Sequence, residues 1–412
     1  MGNVKRLNLI SLISGLLFYT PIMTLLLLQQ NISVVLLVSM QTFFSLAMMV
    51  SELPTGVFAD KFGQKVSMQV GLLLDALSIL LLLLVNTPFM LAVFFAVRGL
   101  GVAFRSGSDE ALLYESYLAE NNTPDGFSKA YGKYLSEDIL GFIIATALAG
   151  VAVQLFGSAS YVPLVILTSI SAFIALALSL GIKTSAKPVK RKRKFKMTSH
   201  MLDSLKTIKK SRTIFALTLF GLLTLNGEYF LRQSYQPYFK ELMVPGLFLG
   251  VALALGKLLN FIAIKKVHLL ELKLNVDQIL FVINALTGGL FIVFAMVQNS
   301  WALVVVFILI QSLLNLEKPV VSDYINQRVE SHQRSTVLSG VSLSLNSGQI
   351  IARLALAASL GIVGLSKTYI LQGLYIILGT LIGTWYLRAC GCTHRVKPVE
   401  NAEDLELAAE TA

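Results

Sequence analysis

The chain has 412 residues, of which 55% are hydrophobic and 14% charged, and its mean hydropathy is +0.72; a soluble core cannot absorb that much apolar material. The net charge of +11 does not point to nucleic acid, because the basic residues lie between apolar blocks or in one central run that lacks interleaved aromatics and any recognisable module. Only two cysteines occur, Cys390 and Cys392, so no disulfide framework is in play.

The apolar residues fall in blocks of roughly 18 to 25, the length a helix needs to cross about 30 Å of hydrocarbon. The blocks predict spans over 7–28, 33–57, 66–86, 88–108, 129–153 and 161–182, then 213–236, 246–264, 276–298, 300–317, 337–360 and 367–388. The first block lacks a small-residue cleavage site and is expected to be a retained span. The expected fold class is an all-α membrane protein with roughly twelve transmembrane helices in two six-helix halves. Connections after odd-numbered spans are short and nearly uncharged. Those after even-numbered spans carry Lys61 and Lys65, then the central run, then Lys265, Lys266 and Lys273, then Arg328 and Arg334. The positive-inside rule places these basic connections, and both termini, in the cytoplasm.

One long interruption contains Lys190, Arg191, Lys192, Arg193 and Lys194. It divides the chain into an N-terminal half (1–182), a basic linker (183–212), a C-terminal half (213–388) and a tail (389–412). In the linker, Met201, Leu202, Leu205 and Ile208 against Lys206, Lys209 and Lys210 have amphipathic helical spacing, suited to an anionic membrane surface. A solvated topological determinant is the plainer reading of the same run.

After the second span the sequence reads ELPTGVFADKFGQK, Glu52 to Lys65. Gly56 and Gly63 permit a tight turn, Asp60 suits a helix cap or a basic neighbour, and Lys61 and Lys65 hold the loop inside. Here the chain resembles the major facilitator superfamily, whose signature between spans 2 and 3 is Gly-x-x-x-Asp-Lys/Arg-x-Gly-x-Lys/Arg. The segments Arg98 to Ser116, Tyr235 to Glu241 and Lys318 to Ser339 resemble its drug or metabolite exporter-like branch. The resemblance implies a gating role for Gly56, Asp60, Lys61, Gly63 and Lys65, steadying an outward-facing arrangement. Two features set the chain apart. The equivalent loop of the second half, Ile264 to Lys273, lacks the Gly and Asp signature, and span 5 has Gly141, Ala145, Ala149 and Gly150 for close packing without the Gly-Pro pattern of the larger drug/proton antiporter subfamilies.

An ionisable side chain at bilayer depth costs roughly 2.5 to 3.5 kcal/mol, so each needs a partner, water or a function. Asp75 and Arg98 flank the turn at Asn86 at similar separations, so an ion pair between them is expected, serving either as a fixed bridge or in a cavity. Glu228 and Arg232 are four apart, hence on one helix face, with Lys257 at comparable depth on the next span. Asp75 and Glu228 are therefore the proton-coupling candidates, Glu228 foremost, while a static Glu-Arg-Lys cluster is the plainer reading of the same residues. Arg98, Arg232, Lys257, Arg353, Tyr229, Gln233 and Asn346 are the candidate cavity residues, with Tyr19, Gln41, Asn226, Gln236 and Gln349 as further lining; packing is the plainer role for many of the uncharged ones. Glu52, Arg105, Glu137, Asp138 and Glu317 are expected near the interfaces. The excess of bases at depth leans towards an anionic or zwitterionic substrate.

The four histidines, His200, His268, His332 and His394, have no metal spacing or paired nucleophile, and no Walker-type phosphate loop occurs, so neither an enzyme nor a cofactor is expected. The expected function is proton-coupled efflux of a drug or metabolite by a monomer in the inner (cytoplasmic) membrane, with small molecule, protons and lipids as partners. The alternatives are nutrient or organic-anion uptake, facilitated diffusion, a lipid flippase-like protein or a membrane receptor.

Overall fold

A computed structural model describes residues 2–123, 125–183, 212–225, 227–326 and 334–391. The basic run 190–194, the amphipathic stretch 201–210, Asn226, Arg328, His200, His332, His394, Cys392 and the acidic tail lie outside the described residues, as do the side chains of Arg334 and His268. The described residues contain helices and turns and no strand, as expected where lipid leaves each segment to satisfy its own backbone.

In chain order the helices are α1 (Asn3–Ser14), α2 (Met23–Gln29), α3 (Val34–Met40), α4 (Thr42–Phe62), α5 (Gln64–Leu81), α6 (Pro88–Arg105), α7 (Ser108–Asn121), α8 (Phe127–Phe156) and α9 (Tyr161–Leu180). After the linker come α10 (Arg212–Leu223), α11 (Glu228–Glu241), α12 (Leu247–Lys266), α13 (His268–Glu271), α14 (Val276–Met296), α15 (Ser300–Leu313), α16 (Glu317–Asn326), α17 (Arg334–Val363) and α18 (Leu365–Ala389). Polar caps start several of them. Ser33 accepts from Leu36 N, Thr87 from Met90 N ahead of Pro88, Asn299 from Trp301 N and Ala302 N, and Asn275 forms a capping box with Gln278. Each satisfies backbone donors that the first turn leaves open.

Among the described residues, ten segments are long and apolar enough to cross a membrane; one of them, 127–180, has 54 residues and holds both α8 and α9. Exposed apolar side chains such as Phe89, Leu155, Ile362 and Trp385 form the outer belt that such segments present to lipid.

Where the sequence predicts continuous first and seventh spans, the helix is interrupted. Residues 15–22 separate α1 from α2, with Pro21 unable to supply an N–H, and residues 224–227 separate α10 from α11. Gly227 sits at φ +63°, and a Cβ there would come 2.9 Å from the Gln372 side chain, so a larger residue would strain the backbone and have to displace that side chain. A third interruption, at Leu314–Leu316, separates α15 from α16, with Asn315 at φ +62°. Broken helices inside a bundle expose backbone ends that can serve a site.

Helices before residue 183 pack chiefly on one another (α4 on α6, α5 on α6 and α9, α1 on α8), as do those after 212 (α14 on α18, α12 on α15, α10 on α18). The two groups meet along α8–α12, α3–α17 and α2–α11. At the α8–α12 crossing a Cβ on Gly150 would collide with Leu247 O, and one on Gly250 with Thr146 O. Since lipid is as apolar as a leucine side chain, such backbone contact is what favours association within a bilayer.

The buried core is arranged unevenly along the bundle. One large cluster takes Ile22, Leu27, Val38, Phe94 and Ala149 from the first group together with Tyr235, Phe239, Leu253, Phe294 and Tyr369 from the second. At the other end the core is divided in two. Leu7, Ile10, Leu72, Leu113 and Ala175 form one cluster; Leu217, Phe220, Leu280, Tyr324 and Leu387 form another, with no shared member. The helix bundle is thus joined at one end and parted at the other, and Lys61, Lys65, Lys265 and Lys266 lie at helix ends on the parted side.

Candidate functional site

A cavity of about 160 Å³ lies at the level of the breaks in the first and seventh segments. It is lined by Tyr19, Gln41, Phe44, Phe94, Arg98, Tyr229, Arg232 and Gln233, among others. A second cavity of about 390 Å³, towards the parted end, is lined by Phe44, Ser45, Glu52, Tyr229, Asn346 and Gln349. Phe44 and Tyr229 line both, so these two rings stand between the inner cavity and the wider one.

The joined end is clasped by polar side chains. Gln236 Oε1 accepts from Thr24 N at 2.9 Å, its Nε2 donates to Thr20 O at 2.9 Å, and Thr24 Oγ1 donates to Gln233 Oε1 at 3.3 Å. The non-helical stretch 15–22 leaves Thr20 O free of an α-helical partner, which is why a glutamine from the other group of helices can take it. All of these residues are buried, where a hydrogen bond left unmade is costly.

Glu228 opens α11. The position suits an acid, since the first turn of a helix presents partial positive charge. One carboxylate oxygen accepts from Arg232 Nη2 at 2.5 Å and the other from Asn315 Nδ2 at 2.7 Å. The carboxylate therefore ties the break in the seventh segment to the break between α15 and α16. Lys257 stands within electrostatic reach of Glu228, Arg232 and Asp138, but makes no direct ion pair or hydrogen bond among the described residues, so the expected Glu-Arg-Lys cluster is in contact only through Glu228 and Arg232.

The expected pair between Asp75 and Arg98 is not formed. Asp75 Oδ2 accepts from Arg105 Nη1 at 3.2 Å, and Arg105 also bonds Asp109, which in turn accepts from the Tyr134 hydroxyl at 3.0 Å. The cause is register. Residues 82–84 form a 3-10 turn and Val85 is extended, and both rise further per residue than an α-helix. Asp75 therefore lies opposite Gly101, whose Cβ would be 3.0 Å from Asp75 Oδ1, and Arg105 reaches back to it. Arg105, at the end of α6, is the centre of this ion cluster. Arg98 is left facing the cavity, 5.4 Å from the centre of the Tyr19 ring, with Nη1 buried and unpartnered.

Arg353 is 3% exposed and spans the two groups of helices. It donates to Ser45 Oγ at 2.6 Å and Gln349 Oε1 at 3.3 Å, and lies 4.1 Å from the Tyr229 ring centre. Arg98, Arg232, Tyr229 and Gln233 thus meet at the inner cavity, Arg353 backs it, Asn346 lines the wider cavity, and Asp75 belongs to a separate cluster. Thr20, Thr24, Ser45 and Asn315 were not singled out from the sequence; Gly15 and Pro21 were the signals that the first span is broken beside Thr20 and Thr24.

In the 52–65 segment, Gly63 turns the chain at φ +95° between α4 and α5. Lys65 Nζ donates to Leu180 O at 3.0 Å and Ile182 O at 2.8 Å, satisfying carbonyls that the end of α9 leaves open. Lys61 lies 5.1 Å from the Phe62 ring centre. Asp60 is exposed and a Cβ on Gly56 would meet nothing within 4 Å, so among the described residues this part of the motif stands open.

The family model described as Major Facilitator Superfamily matches residues 7–270. A protein of Bacillus subtilis (strain 168) named "Uncharacterized MFS-type transporter YxaM" is 21% identical over 381 residues, covering 89% of this chain and 91% of the relative. Among solved structures, the nucleoside transporter NupG superposes with a TM-score of 0.75 at 14% identity, covering 94% of this chain and 100% of that one. A D-xylose-proton symporter superposes with a TM-score of 0.71 at 13% identity, covering 96% and 99%. At such identities these neighbours establish the fold alone. The match over more than half of its length settles the family: the chain belongs to the Major Facilitator Superfamily and is a multi-pass membrane protein, a secondary transporter of a small molecule and not an enzyme.

Proposed function

We propose that the protein exports a small molecule from the cytoplasm by alternating access, in exchange for protons taken up and released at Glu228. The observation that carries this reading is the uneven core, shared between the two groups of helices at one end and split in two at the other. Such a division is what a transporter needs if two halves, 1–182 and 213–388, rock about a central site. The proposal counts the interrupted α1–α2 segment and both α8 and α9 as crossings, giving roughly twelve in all. Positive-inside topology assigns the parted, lysine-bearing end and both termini to the cytoplasm of a cell whose inner membrane holds the protein. The conformation is then the inward-open one in which an exporter loads.

Protonation of Glu228 would remove the charge that holds Arg232 and weaken the bond that Asn315 donates, which couples a proton to both the cavity wall and the break between α15 and α16. In the 52–65 motif, the free Asp60 and uncrowded Gly56 fit a latch that engages only when the cytoplasmic end closes. Proton coupling on this fold is named for the D-xylose-proton symporter, and is carried here to this chain as part of the proposal.

Everted membrane vesicles with a respiration-driven pH gradient provide the test. Addition of a transported compound is expected to dissipate the gradient, read with a fluorescent amine, in vesicles that hold the protein and not in empty ones. Movement of a labelled compound with the gradient untouched would replace the reading with a facilitator, and no movement of any compound would replace it with a receptor.

A further inference from the structure

We propose that the inner cavity accepts an organic anion, a carboxylate, sulfonate or phosphate head on a flat apolar body, with Arg98 as the principal contact of the head. The inference rests on the reading that this cavity is the transport site, and adds the chemical class of what enters it.

The charges decide the sign. The cavity wall carries two guanidinium groups, Arg98 and Arg232, and no carboxylate. Arg232 is matched by Glu228, whereas Arg98 has no acidic partner among the described residues. Its guanidinium lies over the Tyr19 ring, and its Nη1 is buried with nothing to donate to among the described residues. A cation over a ring recovers only a fraction of the hydration that a buried guanidinium gives up.

Behind Tyr229 the same imbalance recurs. Among the described residues Arg353 donates only to neutral acceptors, Gln41 O, Ser45 Oγ and Gln349 Oε1, and its Nε is buried without a partner. Lys257 adds positive charge near the Glu228–Arg232 pair, with Asp138 within its electrostatic reach. Glu52 lines the wider cavity beyond Phe44 and Tyr229 and not the inner one. An anion at Arg98 would therefore complete an otherwise uncompensated site, while a cation would meet two guanidinium groups of which only Arg232 has a carboxylate partner.

The body follows from the walls. Tyr19, Phe44, Phe94, Phe95 and Tyr229 line the inner cavity with aromatic rings, and Leu17 and Met23 add apolar surface. Rings of this kind favour offset or edge-on contact with a flat partner. Arg98 lies on α6 and Arg232 on α11, so one bound anion would touch both groups of helices. That is the geometry through which a substrate can bias a rocking equilibrium.

Binding to the purified full-length protein, measured by calorimetry without any gradient, tests this. The probes are benzenesulfonate, its neutral isostere benzenesulfonamide, and benzyltrimethylammonium. Benzenesulfonate is expected to bind at least tenfold more tightly than either of the others. Arg98→Gln should lose that preference, Arg98→Lys should keep part of it, and Lys240→Gln, an exposed substitution away from the cavity, should leave it unchanged. Equal affinity for the three probes, tighter binding of the ammonium, no binding of benzenesulfonate, or an unaltered preference in Arg98→Gln would each overturn the proposal. The three-probe comparison on the unaltered protein decides the matter even where a variant fails to fold. Because no gradient is used, a protein that binds the sulfonate but never dissipates a pH gradient would sink the coupling proposal and leave this one standing.

Discussion

Arg353 holds its guanidinium 4.1 Å from the centre of the Tyr229 ring while donating across the bundle to Ser45 Oγ at 2.6 Å. One side chain on α17 thereby fixes a ring that divides two cavities and links that ring to α4. The arrangement uses the planar, multi-donor character of arginine, which a lysine ammonium does not share.

Arg353→Lys should consequently keep the charge and lose the geometry. Hydrogen bonds to charged groups are worth roughly 1.5 to 3 kcal/mol each, so loss of even one predicts transport reduced by about tenfold or more. Initial rates in vesicles at matched protein levels check this, and an unchanged rate would show that Arg353 contributes only its charge.

Glu228→Gln keeps the shape of the side chain and can still accept a hydrogen bond from Asn315, but it cannot take up and release a proton. Its vesicles should exchange labelled substrate for unlabelled substrate while failing to concentrate it when a pH gradient is imposed. Retained uphill movement driven by protons would remove Glu228 from the coupling role.

Gly227→Ala tests the break in the seventh segment. At φ +63° an alanine is strained by roughly 1 to 2 kcal/mol, and its Cβ would also press on Gln372, which donates to Leu225 O at 2.8 Å. The unfolding midpoint in detergent should fall accordingly; a midpoint equal to that of the unaltered protein would mean that the turn relaxes without cost.

Arg105→Gln leaves Asp75 and Asp109 facing one another without their cation. Removing one member of a fully buried ion pair costs roughly 3 to 5 kcal/mol. With Arg105 side-chain exposure at 20% and its partners at 13%, solvent screening lowers the expected loss to about 2 kcal/mol. Thermal unfolding measures it. Arg98→Gln, which removes no ion pair, should be the milder change in the same assay.

The long apolar blocks made most helices legible to within a few residues, because their lengths answer to the thickness of hydrocarbon. The expected span over 276–298 corresponds to α14, Val276–Met296, and that over 161–182 to α9, Tyr161–Leu180. The interruptions were less legible, since hydropathy continues straight through residues 15–22 and only Gly15 and Pro21 betray the break; in the seventh segment the glycine at 227 was the corresponding cue. The Asp75 pairing was misplaced for a different reason. Counting residues from a turn assumes a constant rise, and the 3-10 turn at 82–84 shifts the register enough to exchange Arg98 for Arg105. That same shift is what frees Arg98 for the cavity. Cross-bundle partners such as Gln236 with Thr20, or Glu228 with Asn315, depend on how distant helices meet, and no local pattern encodes them.

The claim on which the rest stands is that the two ends of the bundle open in alternation around the arginine-bearing cavity. Pulsed electron spin distances test it most directly, with one label pair at Lys61 and Lys265 on the parted end and another at Phe89 and Met243 on the joined end, in lipid nanodiscs at pH 5 and pH 8. The account predicts two populations whose balance changes with pH, one pair of labels drawing together as the other separates. Distances that stay fixed, or that lengthen and shorten together at both ends, would contradict it.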